Sequence, residues 1–107
     1  MPTFDDIEKA YEAKYSHEQE MDFRAVTRRN KLLGLWAAEE MGISGADAEA
    51  YAREVIESDF EQAGHEDVVQ KVLTDLQDKG VEVTDHIVRK QMDELLIEAK
   101  SQLAGED

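Results

Sequence analysis

The 107-residue sequence contains no cysteine, one proline and six glycines. Without cysteine there is no disulfide, no thiolate zinc site and no thiol nucleophile. With so little proline and glycine, turn chemistry is too sparse for a many-stranded sandwich or barrel. No apolar run approaches the ~20 residues of a membrane-spanning helix; the longest is LLGLWAA at 32–38. Positive charge is scarce as well. Lys and Arg number 12 against 26 Asp and Glu, a formal net charge of −14. Such a surface repels nucleic-acid phosphates and anionic lipid leaflets. The opening MPTFDDIEKA has neither the cationic and apolar regions of a secretory signal nor the Arg-rich, acid-poor character of a transit peptide. The expectation is a soluble, acidic, intracellular domain with no nucleic-acid partner and no direct membrane insertion.

The hydrophobic share is 41%, an ordinary globular level that supports one modest core. Apolar residues recur at helical spacing. Thr3 stands in the N-cap position, with Asp5 and Asp6 at the positive end of the helix dipole. Phe4, Ile7, Tyr11 and Tyr15 then form one stripe. It fails over Ser16-His17-Glu18-Gln19-Glu20 and resumes through Met21, Phe23, Ala25, Val26, Leu32, Leu33, Leu35, Trp36, Ala37, Ala38 and Met41, with Gly42 as the stop. This predicts one long helix, or two in tandem, with a solvated joint near 16–20.

A second helix is expected from Ser44, with Asp47 in a capping-box position and a stripe of Ala48, Tyr51, Ala52, Val55, Ile56, Phe60 and Ala63 stopped by Gly64. A third carries Val68, Val69, Val72, Leu73 and Leu76 and ends at Gly80. Val81-Glu82-Val83 could form a strand but has no strand to pair with. Thr84 caps a fourth helix lined by Ile87, Val88, Met92, Leu95, Leu96, Ala99 and Leu103. The fold class is all-α, a four-helix bundle with a long, jointed N-terminal helix.

No catalytic constellation emerges. His17, His65 and His86 are isolated in polar sequence, and no pair of Glu-x-x-His motifs is present for a metal-carboxylate bundle. There is no EF-hand loop, P-loop or dinucleotide fingerprint, and the serines lack a nucleophile-elbow setting. The chain is therefore not expected to be an enzyme or to hold a metal.

Two features stand out. Residues 21–33 carry Arg24, Arg28, Arg29 and Lys31 against Asp22 alone, a basic island in an acidic protein. Arg24 and Arg28 are neighbours at i, i+4 and repel unless an anion or carboxylate offsets them. The island either neutralises the acidic helices of the same chain, or binds phosphate as in a weakly held ADP or ATP, or meets an acidic protein. No other cofactor is implied. The second feature is the Phe4-Ile7-Tyr11-Tyr15 stripe, cut off from the main apolar pattern by the polar joint. About 12 residues span ~18 Å, and a helix that short is marginal alone in water. Such a segment folds into a partner's groove more readily than it stands alone.

The run FDDIEKAYEAKYSHEQEMDFRAVTRRNKLLGLWAAEEMG (4–42) closely resembles the opening of the alphaproteobacterial zeta subunits, intrinsic inhibitors of the F-type ATP synthase. FRAVTRRNKLLGLWAA (23–38) is its most specific part, followed by DFEQAGHEDVVQKVLTDL (59–76) and IVRKQMDELLIEA (87–99). The resemblance implies a four-helix bundle whose N-terminal segment enters a catalytic interface between alpha and beta subunits and reaches toward the gamma shaft. Rotation in the hydrolytic direction is thereby blocked. Carried over by position, residues 1–16 form the inhibitory segment and residues 17–107 the bundle docked outside the catalytic head. The contacts then fall on Phe4, Asp5, Ile7, Glu8, Lys9, Tyr11, Lys14 and Tyr15, with the lysines meeting acids of the cleft. The same resemblance implies a monomer when free, and a cytoplasmic location peripheral to the inner membrane through the ATP synthase.

Overall fold

The computed structural model describes residues 4–61 and 65–106, with side chains at 19–59 and 65–106. Thr3, Ala63 and Gly64, assigned above to a cap and a helix end, lie outside the described residues, as does the Phe60 side chain. Four helices follow in order: α1 (Phe4–Glu40), α2 (Gly45–Glu61), α3 (Glu66–Asp78) and α4 (Asp85–Glu106). Among the described residues there is no strand, and Val81-Glu82-Val83 belongs to the α3–α4 connection. The all-α bundle expected from periodicity is the fold.

The expected joint is different. α1 is one helix of 37 residues that passes through 16–20 without a break. Polarity removes a reason to pack but does not remove helix propensity. Glu18, Gln19 and Glu20 are good helix formers, and the stretch has no Gly or Pro. At ~1.5 Å per residue α1 is about 55 Å long, which accounts for a molecule measuring 65 × 26 × 21 Å.

The helix ends are written in the chain. After α1, Ile43 N–H bonds to Ala38 O at 2.8 Å and Gly42 N–H to Glu39 O at 3.1 Å. After α3, Val81 N–H bonds to Leu76 O and Gly80 N–H to Gln77 O, each at 3.0 Å. Both are Schellman ends, which require a left-handed residue; Gly42 and Gly80 have φ of 75° and 80°. Ile43 and Val81, next in the chain, fold back onto the core. α4 starts where Thr84 Oγ1 accepts the Ile87 N–H at 3.3 Å.

The core joins Leu33, Ala37 and Ala38 of α1 to Tyr51 and Val55 of α2, Val68, Val69, Val72 and Leu76 of α3, and Val88, Met92 and Leu95 of α4. α1 packs mainly on α2 and α4, which both run antiparallel to it. Among the described residues, two large members of the expected stripes are exposed: Phe23 at 60% and Ile87 at 44%. Successive helical residues are about 100° apart, so Ile87 turns away when its neighbour Val88 turns in. Ile97, on the outer side of α4, is 72% exposed.

α1 and α2 approach closely at Gly34. A Cβ placed on Gly34 would stand 2.6 Å from the Ala52 Cα and 3.2 Å from Val55 Cγ2. Gly34 is a poor helix former by about 1 kcal/mol relative to Ala, yet it is the residue that admits the α2 backbone. Substituting Gly34→Val should force the two helices apart and cost about 2 kcal/mol or more. Urea unfolding of the purified chain measures this, and an unchanged midpoint would show that the contact carries no such constraint.

Candidate functional site

The backbone of α1 carries Phe4, Asp5, Ile7, Glu8, Lys9, Tyr11, Lys14 and Tyr15 in its first turns. Their side chains lie outside the described residues, so the stripe rests on sequence spacing alone.

The basic island is divided by helix phase. Arg24, Thr27, Arg28 and Lys31 share the outer face of α1 and, with Phe23, Ile56 and Leu103, line a shallow cleft of about 340 Å³. Arg28 Nη2 meets Glu106 at 2.8 Å and Arg24 Nη2 meets the same carboxylate at 3.7 Å. Arg28 Nη1 also donates to Gln102 Oε1 at 3.0 Å. The last turn of α4, with its negative dipole end, therefore offsets the i, i+4 repulsion between the two arginines. Lys31 is exposed, and among the described residues no carboxylate stands within ion-pair distance of it.

Arg29 takes the opposite course. It is 4% exposed and the adjacent Asn30 1%. Arg29 Nε and Nη2 donate to Asn30 Oδ1 at 3.2 and 2.9 Å. Asn30 Nδ2 donates to Asp59 Oδ2 of α2 at 3.1 Å. Arg29 Nη2 also lies 3.0 Å from His65 Nδ1. A guanidinium can only donate, so this contact makes Nδ1 the acceptor and puts the proton of a neutral His65 on Nε2. Burial pulls the Arg29 pKa below its ordinary value, while Asp59 and Asp93 oppose that shift. The arginine stays charged in either case. The four sequence-assigned cations thus do not converge on one cradle: three face outward and one ties α1 to the α2–α3 corner.

Asn30, Asp59 and His65 were not assigned a role by charge counting. Their signal was phase. Arg29 lies four residues after Ala25 and four before Leu33, both buried, so it sits on the core stripe. A polar residue there must find buried partners, and among the described residues no buried side-chain N or O lacks one.

Two further ties hold the remaining corners. Arg89 of α4 forms a bidentate pair with Glu66 of α3 at 2.8 and 2.7 Å and also bonds Asp85. Hydrogen bonds from Arg89 hold the Glu66 and Asp85 carboxyls below their usual range. Tyr51 of α2 donates to Asp75 of α3 at 2.8 Å, and Lys71 meets Asp75 at 3.1 Å. Burial, then the Asp75 bond, pushes the Tyr51 hydroxyl pKa up. Among the described residues no group of three or more His, Asp or Glu is placed to hold a metal ion, and no helix is long and apolar enough to cross a membrane.

The described residues thus form an elongated helical bundle with polar ties at its corners and a charged outer face on α1. The particular class follows from comparison: the chain belongs to the ATPase inhibitor subunit zeta family, whose model matches residues 1–102. That family consists of inhibitor subunits rather than enzymes, and it ties the chain to an ATP synthase. Similarity also extends to a solved protein, known from a solution NMR structure, with 52% identity over 81% of this chain and 99% of that one and a TM-score of 0.72. No curated protein matches the sequence.

Removing one member of the buried network strands the others. Asn30→Ala leaves Asp59 and Arg29 short of a partner and should cost about 1–3 kcal/mol. Chemical denaturation measures the loss; a variant as stable as wild type would mean that water replaces the amide at no cost.

Proposed function

We propose that the chain inhibits ATP hydrolysis by an F-type ATP synthase through the N-terminal part of α1. In this reading residues 1–16 enter the catalytic interface between alpha and beta subunits, toward the gamma shaft, and the bundle of residues 17–107 stays outside. The observation that carries it is the continuity of α1, a 37-residue helix that contributes Leu33, Ala37 and Ala38 to the core at one end and bears the Phe4-Ile7-Tyr11-Tyr15 spacing at the other. One element both anchors in the bundle and reaches beyond the partner helices.

The energetics favour that arrangement. Burying a side chain such as Phe4, Ile7 or Tyr11 contributes about 1.5–3 kcal/mol. Ordering a short free helix would offset much of this. A segment continuous with a folded helix starts nearer its bound conformation. The docked bundle then raises the local concentration of the segment at the cleft. Lys9 and Lys14 meet acids of the cleft, and Asp5 and Glu8 occupy the first turns beside the anchors. The chain acts as a monomer from the cytoplasmic side, peripheral to the inner membrane through the enzyme.

Hydrolysis by the cognate catalytic head, stripped of this subunit, tests the proposal. The full chain should inhibit, and a chain beginning at His17 should not. Phe4→Ala with Tyr11→Ala should weaken inhibition about tenfold or more, at ~1.4 kcal/mol per decade, while leaving the bundle's cooperative unfolding unchanged. Inhibition by the shortened chain would place the activity elsewhere in the molecule.

A further inference from the structure

The outer face of α1 is the exception in this protein's electrostatics. Among the described residues most exposed charges are acidic, yet Arg24, Arg28 and Lys31 stand together on one side of one helix. Phe23, 60% exposed, adjoins them in the same cleft. An aromatic next to arginines is the composition of protein-binding surfaces, where rigid apolar area and guanidinium groups dominate recognition.

The molecule itself indicates what this face accepts. Its current occupant is a carboxylate on the last turn of a helix: Glu106 lies 2.8 Å from Arg28 and 3.7 Å from Arg24. That pair is open to solvent, with the Arg24 and Glu106 side chains 43% and 46% exposed. Exposed ion pairs are weak and exchange readily. Lys31, one turn further along α1 from Arg28, is not engaged by any described carboxylate.

We propose that Phe23, Arg24, Thr27, Arg28 and Lys31 form the docking face by which the bundle holds an acidic protein surface, and that Glu106 occupies its two arginines until that partner displaces it. Complementary charge steers and orients the encounter, and Phe23 adds the apolar contact that charge alone does not provide. A compact carboxylate-bearing helix fits the observed seat better than a nucleotide does, because Arg29 is turned into the core and the phosphate cradle lacks its fourth cation. The inference deepens the inhibitor reading, on which it rests for the partner: the acidic surface belongs to the catalytic head, outside the cleft entered by residues 1–16.

The two parts of the proposal predict effects of opposite sign, which a merely structural role would not produce. Affinity of the full-length chain for the stripped catalytic head is measured together with its maximal inhibition. Lys31→Glu should weaken binding about tenfold or more by setting like charges together. Glu106→Gln, which frees both arginines, should strengthen binding about threefold. Maximal inhibition at saturation should be unchanged in both. Lys90→Glu, an exposed change on α4, serves as the control and should bind as wild type. Wild-type affinity for Lys31→Glu, or weakening by both substitutions, overturns the docking face while leaving inhibition by residues 1–16 intact. A wild-type chain that binds without inhibiting removes the inhibitor reading alone, and one that does not bind removes both. If ADP with magnesium at millimolar concentration shifts the Phe23 and Lys31 resonances, and Lys31→Glu abolishes that response but not protein binding, the occupant is a nucleotide and the proposal falls.

Discussion

Where α1 crosses α2, one backbone lies against the other. At Gly34 the chain presents no Cβ, and the Ala52 Cα occupies the space a side chain would need. The surroundings are small as well: Ala37, Ala38, Ala48 and Ala52 are all buried. Around this contact Leu33 and Val55 share one core with the valines of α3 and with Val88, Met92 and Leu95 of α4. A chain of this length cannot gain much from the size of its core, so it depends on density. The glycine costs helix propensity locally and secures the packing of the other three helices.

The polar network at Arg29 complements that apolar contact. Replacing a buried charge by a well-packed hydrophobe is often neutral or stabilising, so the network is weak evidence of extra stability. Its value here lies in position. Asn30 reaches Asp59 near the end of α2, and Arg29 reaches His65 at the entry to α3. The connection between those helices is short, and hydrophobic contacts alone do not choose between nearby directions for it. Directional bonds from α1 do. The bidentate Arg89–Glu66 pair serves the next corner in the same way.

Much of this was legible in the sequence, and what was not has identifiable causes. Gly42, Gly80 and Thr84 marked helix ends because backbone geometry at those points demands particular residues. The stripes of α3 and most of α4 followed from spacing, since a helix of alternating environment repeats its apolar positions. Phe23 and Ile87 were misplaced because residue type was weighed above phase. Gly34 was hidden inside an apolar run and read as part of it. The division of the basic island was also a matter of phase: Arg28 and Arg29 are adjacent in sequence and lie on different sides of α1. The carboxylate that answers Arg28 belongs to a helical turn whose Gln102 is 74 positions away, a distance no local pattern spans. The residues of the N-terminal segment were legible only as spacing, and their role rests on family membership and the continuity of α1.

That continuity has a geometric consequence. In a single helix, position along the axis and azimuth about it are locked together by residue number. Each residue between the bundle and the first turns therefore sets the bearing of every position before residue 16 as well as its reach. One residue more or fewer in the polar stretch at 16–20 would alter the reach by only ~1.5 Å but swing the bearing by about 100°. The polar stretch is thus constrained in length more tightly than in composition. It acts as a phase spacer, and its count of residues is the quantity that aligns one end of the protein with the other.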